Sequence, residues 1–159
     1  MTGGSSMKFF GSSVALGVAV LGTVLWSQGT AGNAAGVFPY QDDAAVAQGK
    51  VIYQDNCASC HGDQLQGEAN WRERDEEGYL PAPPHNASGH TWHHADQQLL
   101  TITRKGTAAL VGNGYRSRME GYEDVLSESD LLAVFAYIKS TWPAEVIARH
   151  NEINEQAEN

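Results

Sequence analysis

The sequence lacks the basic excess and the cysteine framework that two common classes of small protein require. It contains 10 lysine and arginine residues against 19 acidic residues, which gives a formal net charge of −9. Proteins that bind nucleic acid neutralise phosphates with a basic face, so this balance argues against that class. Only two cysteines are present, and two cannot build the multi-bridge framework of a small secreted domain. The acidic balance instead favours partners with a basic surface.

Recognisable catalytic signatures are also missing. The chain contains no glycine-rich phosphate loop and no Gly-x-Ser-x-Gly elbow. No alternation of apolar and polar residues is strong enough to predict a sheet. Hydrophobic residues make up 42% of the 159 residues and charged residues only 18%, which is enough apolar material for a packed core. We therefore expect one folded domain, helical and without independent catalytic activity.

One hydrophobic run lies near the N-terminus. No charged residue occurs from Phe9 to Trp26, Lys8 precedes the run, and small residues follow it over 27–36. This order is typical of a secretory signal peptide, with Gly32–Ala34 as an acceptable cleavage site. An uncleaved membrane anchor is the alternative, because about 20 apolar residues can span a bilayer. Both interpretations export the domain that follows.

The chain divides into three parts. Residues 1–36 hold the signal peptide or anchor with its linker, residues 37–143 the folded domain, and residues 144–159 a polar tail that is expected to be helical at first and then frayed. Helices are predicted from Asp42 to about Asn56, over Gln97–Lys105 with Asp96 as its cap and Gly106 as its stop, and after Ser127, where Asp130 extends the cap. An apolar stripe on the last of these consists of Leu131, Val134, Phe135 and Ile138.

The segment Cys57-Ala-Ser-Cys60-His61 carries the clearest chemical signal. Cys-x-x-Cys-His is the attachment signature of c-type haem. Each cysteine can form a thioether with one vinyl group, and His61 can turn its imidazole under the iron as an axial ligand. A disulfide, a thioredoxin-like pair and a zinc site are the alternatives. The thioredoxin-like pair needs a preceding strand and the zinc site a second ligand pair. Because an export signal precedes the motif and a histidine follows the second cysteine, we predict one covalently bound haem c.

Met119 is the candidate for the second axial position. Met1 and Met7 lie before the hydrophobic run, which leaves Met119 as the methionine of the exported domain. A thioether stabilises reduced iron and suits an electron-transfer haem. Met119 also lies in a glycine-rich loop between charged neighbours, which is a poor environment for core packing.

Histidines offer an alternative ligand or a second metal site. His85, His90, His93 and His94 occur within ten residues. One of the four could replace Met119, or the cluster could bind copper or another divalent ion, with His90, His93 and His94 as the main candidates. The simplest interpretation of most of them is a surface position or one facing the haem propionates.

These segments together resemble a monohaem class I cytochrome c of the bacterial periplasmic kind. The resemblance runs from about Asp42 to Trp142 and rests on Gly49–Tyr53, Cys57–Gly62, Met119–Ser127 and Leu131–Lys139. It implies a small all-α globule of roughly three to five helices around one covalent haem. The first and last helices of that fold cross near Gly49, where Tyr53, Phe135 or Tyr137 would pack.

The resemblance also implies a proline carbonyl that accepts a hydrogen bond from His61. Pro81, Pro83 and Pro84 are the candidates, and their spacing does not choose between them. Such a bond orients the ligand and tunes the iron. One departure is a long segment between His61 and the second helix, which is rich in histidine near its end.

The function implied is one-electron transfer by an iron with His/Met ligation. Expected partners are respiratory: a quinol-oxidising complex or dehydrogenase as donor, and a terminal oxidase or reductase as acceptor. The domain would be periplasmic, either soluble or tethered to the inner membrane. The alternative is a haem with a replaceable sixth ligand, as in a sensor or the haem subunit of an oxidoreductase. Copper handling by the histidine-rich segment would be an additional role.

Overall fold

The computed structural model describes residues 1–4 and 36–159, so the hydrophobic run of the signal peptide or anchor lies outside the described residues. The helices are α1 (Asp43–Asn56), α2 (Ala58–His61), a 3₁₀ helix (Thr91–His93), α3 (Asp96–Lys105), α4 (Thr107–Val111), α5 (Glu128–Ser140) and α6 (Ala144–Ala157). The described part of the chain contains no strand, which confirms the all-α class, with six α-helices instead of three to five. None of its helices is long and apolar enough to cross a membrane.

Helices α1 and α5 cross in close backbone contact at Gly49. A Cβ added at Gly49 would lie 1.8 Å from the carbonyl oxygen of Ala133. Glycine is needed here because the two backbones touch without an intervening side chain. Beyond the crossing, the fully buried Tyr53 packs against Tyr137 with ring centroids 5.5 Å apart. The helix crossing implied by the resemblance is therefore present.

Helix α5 supplies the centre of the core. Its N-terminus has a complete capping box, in which the Ser127 hydroxyl accepts from the Asp130 amide and the Asp130 carboxylate accepts from the Ser127 amide. All four residues of the predicted stripe are buried, each no more than 4% exposed: Leu131, Val134, Phe135 and Ile138. The cap and the stripe are both confirmed.

The predicted role of Asp96 as a helix cap is wrong. The cap of α3 is Ala95, and Asp96 lies inside the first turn, only 3% exposed. Its carboxylate accepts hydrogen bonds from the Val37 amide at 2.6 Å and from the Asn154 side-chain amide at 3.0 Å. Asp96 therefore joins the start of the domain to α6, because these distant donors replace the local amides that a cap would satisfy.

The polar C-terminal segment is more ordered than predicted. Helix α6 runs from Ala144 to Ala157, where a helical start followed by fraying was predicted. His150 is fully buried, and its Nε2 lies 3.0 Å from the carbonyl oxygen of His94. Buried polar side chains hold this helix on the domain together with Val146 and Ile147, which pack against the core.

Candidate haem site

The two cysteines lie where α1 gives way to α2. Cys57 is half-buried and forms the junction, and Cys60 is exposed within the single turn of α2. Both are free thiols. Gly62 ends α2 with a φ of +80°, and its carbonyl oxygen accepts from the Tyr53 hydroxyl at 3.0 Å. The motif is thereby fixed to the buried end of α1.

The electrostatics of Cys57 do not fit a reactive redox thiol. Burial raises the pKa of Cys57 to about 11, and the neighbouring Cys60 adds to the shift. Reactive thiols have a lowered pKa, because only the thiolate is nucleophilic. Helix α1, and not a strand, precedes the motif. The thioredoxin-like alternative is therefore not supported.

His61 is buried and held in one orientation. The ring is 7% exposed, and its Nδ1 lies 2.7 Å from the carbonyl oxygen of Pro83. A carbonyl only accepts, so Nδ1 carries the proton and Nε2 keeps a lone pair. Burial lowers the pKa of His61, and the bond to Pro83 offsets this in part. The sequence left three prolines as candidates for this carbonyl. The structure shows that Pro83 accepts the bond.

His85 is the neighbour of His61 that sequence reasoning did not find. Its ring stacks on the His61 ring with centroids 4.0 Å apart and an interplanar angle of 27°. Its Nδ1 lies 2.8 Å from the Thr91 hydroxyl oxygen, and its carbonyl oxygen accepts from the Trp142 indole at 2.8 Å. Burial lowers the pKa of His85 well below its usual range. The sequence had placed His85 in the cluster of candidate ligands but gave no signal of its contact with His61.

Two other histidines, His90 and His93, each stack on a half-buried tryptophan. His90 lies over Trp71 with ring centroids 5.2 Å apart, and His93 over Trp92 at 3.7 Å. The His90 and His94 rings meet edge to face at 5.4 Å. Within residues 1–4 and 36–159, no group of three or more histidine, cysteine or acidic side chains is arranged to hold a metal ion. The geometry therefore lends no support to a copper site.

Met119 lies half-buried in the segment between α4 and α5, residues 112–127, which we call the Met119 loop. Its amide donates to the Ser117 hydroxyl at 3.0 Å, and its carbonyl oxygen accepts from the Thr107 amide at 3.3 Å. Further along the loop, the Tyr122 hydroxyl donates to the carbonyl oxygen of Asn56 at 2.9 Å. That bond ties the Met119 loop to the residue that precedes Cys57.

The set of donors fits a covalently bound haem. It combines two thiols one helical turn apart, an adjacent imidazole with a free Nε2, and a thioether on a loop tied to the same helix end. An iron porphyrin takes these ligand types, with thioether links to its vinyl groups. An all-helical domain with this donor set indicates a protein of the covalent haem class.

Comparison with protein families gives the same class. The family model described as cytochrome c matches residues 46–142, which is more than half of the chain. The chain belongs to the cytochrome c family, and its cofactor is covalently bound haem c with iron. Haem-based electron transfer is the general activity of this family, whose domains typically lie in the periplasm or outside the cell. No curated protein and no solved structure gave a significant match.

Proposed function

We propose that the protein is a one-electron carrier with a His/Met-ligated haem c. Cys57 and Cys60 form the thioether links, and His61 and Met119 are the axial ligands. The observation that carries the proposal is the hydrogen bond from His61 Nδ1 to the Pro83 carbonyl oxygen at 2.7 Å. It leaves Nε2 as the only ring nitrogen free to bind iron. The bound haem supplies the ferric–ferrous couple.

The surroundings of His61 prepare it for this role before any cofactor is bound. The bond to Pro83 fixes the tautomer and the orientation of the ring, and it increases the electron density at Nε2. Burial lowers the pKa of His61, so the ring is neutral near pH 7. No proton has to leave Nε2 before it can bind a metal.

Met119 is proposed as the second ligand on two grounds. It is the methionine that remains after the hydrophobic N-terminal run, and its backbone is bonded on both sides, to Ser117 and Thr107. A thioether raises the reduction potential relative to an imidazole. Because both axial positions would be filled, no open position remains for a substrate.

The proposed setting is respiratory electron transfer in the periplasm. The formal charge of −9 favours transient docking on a basic surface, such as that of a terminal oxidase or reductase. A quinol-oxidising complex or a dehydrogenase would be the donor. The N-terminal hydrophobic run would act either as a cleaved signal peptide or as a tether to the inner membrane.

The test is the visible spectrum of the chain matured with haem, in wild type and in Met119→Ala and Met119→Leu. Leucine keeps the side-chain volume and removes the sulfur, so it separates ligation from packing. We expect a covalent haem that survives denaturation in alkaline pyridine and a far-red ferric band. Both substitutions should abolish that band, lower the potential and admit exogenous ligands.

Controls at the attachment site complete the test. Cys57→Ser and Cys60→Ser together should abolish covalent attachment while the haem stays extractable. A far-red band that persists in Met119→Leu would overturn the assignment of Met119. Ligand affinity that is high in wild type and unchanged in both methionine variants would instead indicate a sensor or an oxidoreductase haem subunit.

A further inference from the structure

The long segment after the haem motif contacts the Met119 loop through an acidic turn. We call residues 73–79 the acidic loop. Arg118 extends its forked guanidinium to two carboxylates of this loop: Nη1 lies 2.7 Å from Asp75 Oδ2, and Nη2 lies 3.0 Å from Glu77 Oε2. Arg118 is the residue directly before Met119. The position of the proposed ligand is therefore linked to a segment more than 40 residues earlier in the chain.

An aromatic ring completes this contact. The guanidinium carbons of Arg118 and Arg116 lie 4.1 Å and 4.2 Å from the centroid of the Tyr79 ring. Arg116 also donates to the Tyr79 hydroxyl at 2.9 Å and to the Glu77 carbonyl oxygen. Arginine favours such sites, because its planar fork can pair with carboxylates and stack on a ring at once.

The acidic loop also has its own internal hydrogen bonds, independent of Arg118. The Asp75 carboxylate accepts from the amides of Glu77 at 3.0 Å and Tyr79 at 2.8 Å. The Asp75 amide donates to the Tyr79 carbonyl oxygen at 2.8 Å, and Arg74 donates to the Gly78 carbonyl oxygen at 2.6 Å. Little further ordering is needed when the ion pairs form, so less entropy is lost.

The chain just after the acidic loop contacts His61, the other proposed axial ligand. Pro83, four residues after Tyr79, accepts the hydrogen bond from His61. One stretch of chain therefore touches both sides of the proposed haem site, His61 through Pro83 and the Met119 loop through Tyr79. The resemblance to class I cytochromes did not account for this long segment, and these contacts give it a role.

We propose that the acidic loop is a clamp that positions Met119 as an iron ligand, with Arg118 as the positioning residue. This inference rests on the proposed His/Met ligation. A ligand such as imidazole can displace Met119 only when the Met119 loop opens, so its apparent affinity depends on the open fraction. Loss of the clamp raises that fraction.

The size of the effect follows from the kinds of contact involved. Single exposed ion pairs contribute little, but Arg118 makes two at once and also stacks on Tyr79. Together we expect their loss in Arg118→Ala to tighten imidazole binding about tenfold.

The experiment is an imidazole titration of the haem-loaded full chain, followed by the far-red band. Arg118→Ala should tighten imidazole binding about tenfold, and the double variant Asp75→Asn/Glu77→Gln should tighten it by a smaller factor, because Arg118 still stacks on Tyr79. The combined variant should add little beyond Arg118→Ala. Arg118→Lys should restore part of the wild-type resistance. Arg149→Ala is the matched control: its ion pair with Glu152 at 2.7 Å is similarly exposed but lies on α6, and it should leave imidazole binding unchanged.

The outcomes separate the clamp from the ligation. A wild-type far-red band together with unchanged imidazole affinity in Arg118→Ala overturns the clamp and leaves Met119 as the ligand. If Arg118→Ala fails to mature, unchanged affinity in the double variant overturns the clamp in the same way, because that variant keeps Arg118 itself. A wild type without the far-red band overturns both the His/Met assignment and the clamp.

Discussion

Replacement of Gly49 by alanine should force α1 and α5 apart at their crossing. The added Cβ would lie 1.8 Å from the carbonyl oxygen of Ala133 and 2.4 Å from its carbonyl carbon. Real Cβ atoms stay at least 3.0 Å from such neighbours, so the helices must separate by about 1.2 Å, the difference between 3.0 and 1.8 Å. The atoms met are backbone, and no rotation of a side chain can relieve the contact.

The expected magnitude combines two opposing effects. Overpacking a close contact costs about 1–3 kcal/mol, and two rigid backbones belong at the upper end of that range. Alanine regains about 1 kcal/mol through its higher helix propensity. We therefore expect a net decrease of about 2 kcal/mol in the free energy of unfolding. For a domain of this size the decrease lowers Tm by roughly 5–10 °C.

The assay is urea and thermal unfolding of the haem-loaded chain, with Ala47→Gly as the control. Ala47 is exposed on the same helix, so this variant measures helix propensity alone and should lose about 1 kcal/mol. If Gly49→Ala gained stability by the amount that Ala47→Gly lost, the close crossing would contribute nothing. That result would refute the reasoning.

Two further predictions concern a loop contact and a buried histidine. Tyr122→Phe removes the hydrogen bond to the Asn56 carbonyl oxygen and should cost about 1 kcal/mol in urea unfolding, and an unchanged midpoint would contradict this. Burial lowers the pKa of His150, and the nearby Lys139 adds to the shift. The unfolded chain therefore takes up the proton at higher pH, so this contribution to stability is complete above about pH 6.5 and decreases at lower pH. His150→Gln should reduce the difference in urea midpoint between about pH 7.5 and about pH 5.5, and an equal difference in both proteins would assign the effect to other groups.

The features that the sequence predicted correctly are those with local signals. The capping box of Ser127 and Asp130 spans three residues, and the α5 stripe repeats at the spacing of one helix face. The haem motif is likewise five consecutive residues. The crossing at Gly49 was available only through the family resemblance, because glycine alone does not say which helix approaches it.

The features that could not be predicted depend on contacts between distant parts of the chain. Asp96 has the right position for a cap, but its carboxylate is used by Val37 and Asn154, 59 and 58 residues away. His85 looked like the other histidines until the loop path brought it onto His61. The pairing of Arg118 with the acidic loop joins two loops, and loop paths follow no periodic pattern that a sequence could reveal.

The contact between Asp96 and the start of the domain fixes where the preceding chain enters. The Val37 amide is bonded to Asp96, and a Cβ on Gly36 would collide with Asp96 and Asn154. An uncleaved anchor would thus be joined to the globule at one set point beside α6. The attachment point of a tethered domain would then be set by a single buried carboxylate.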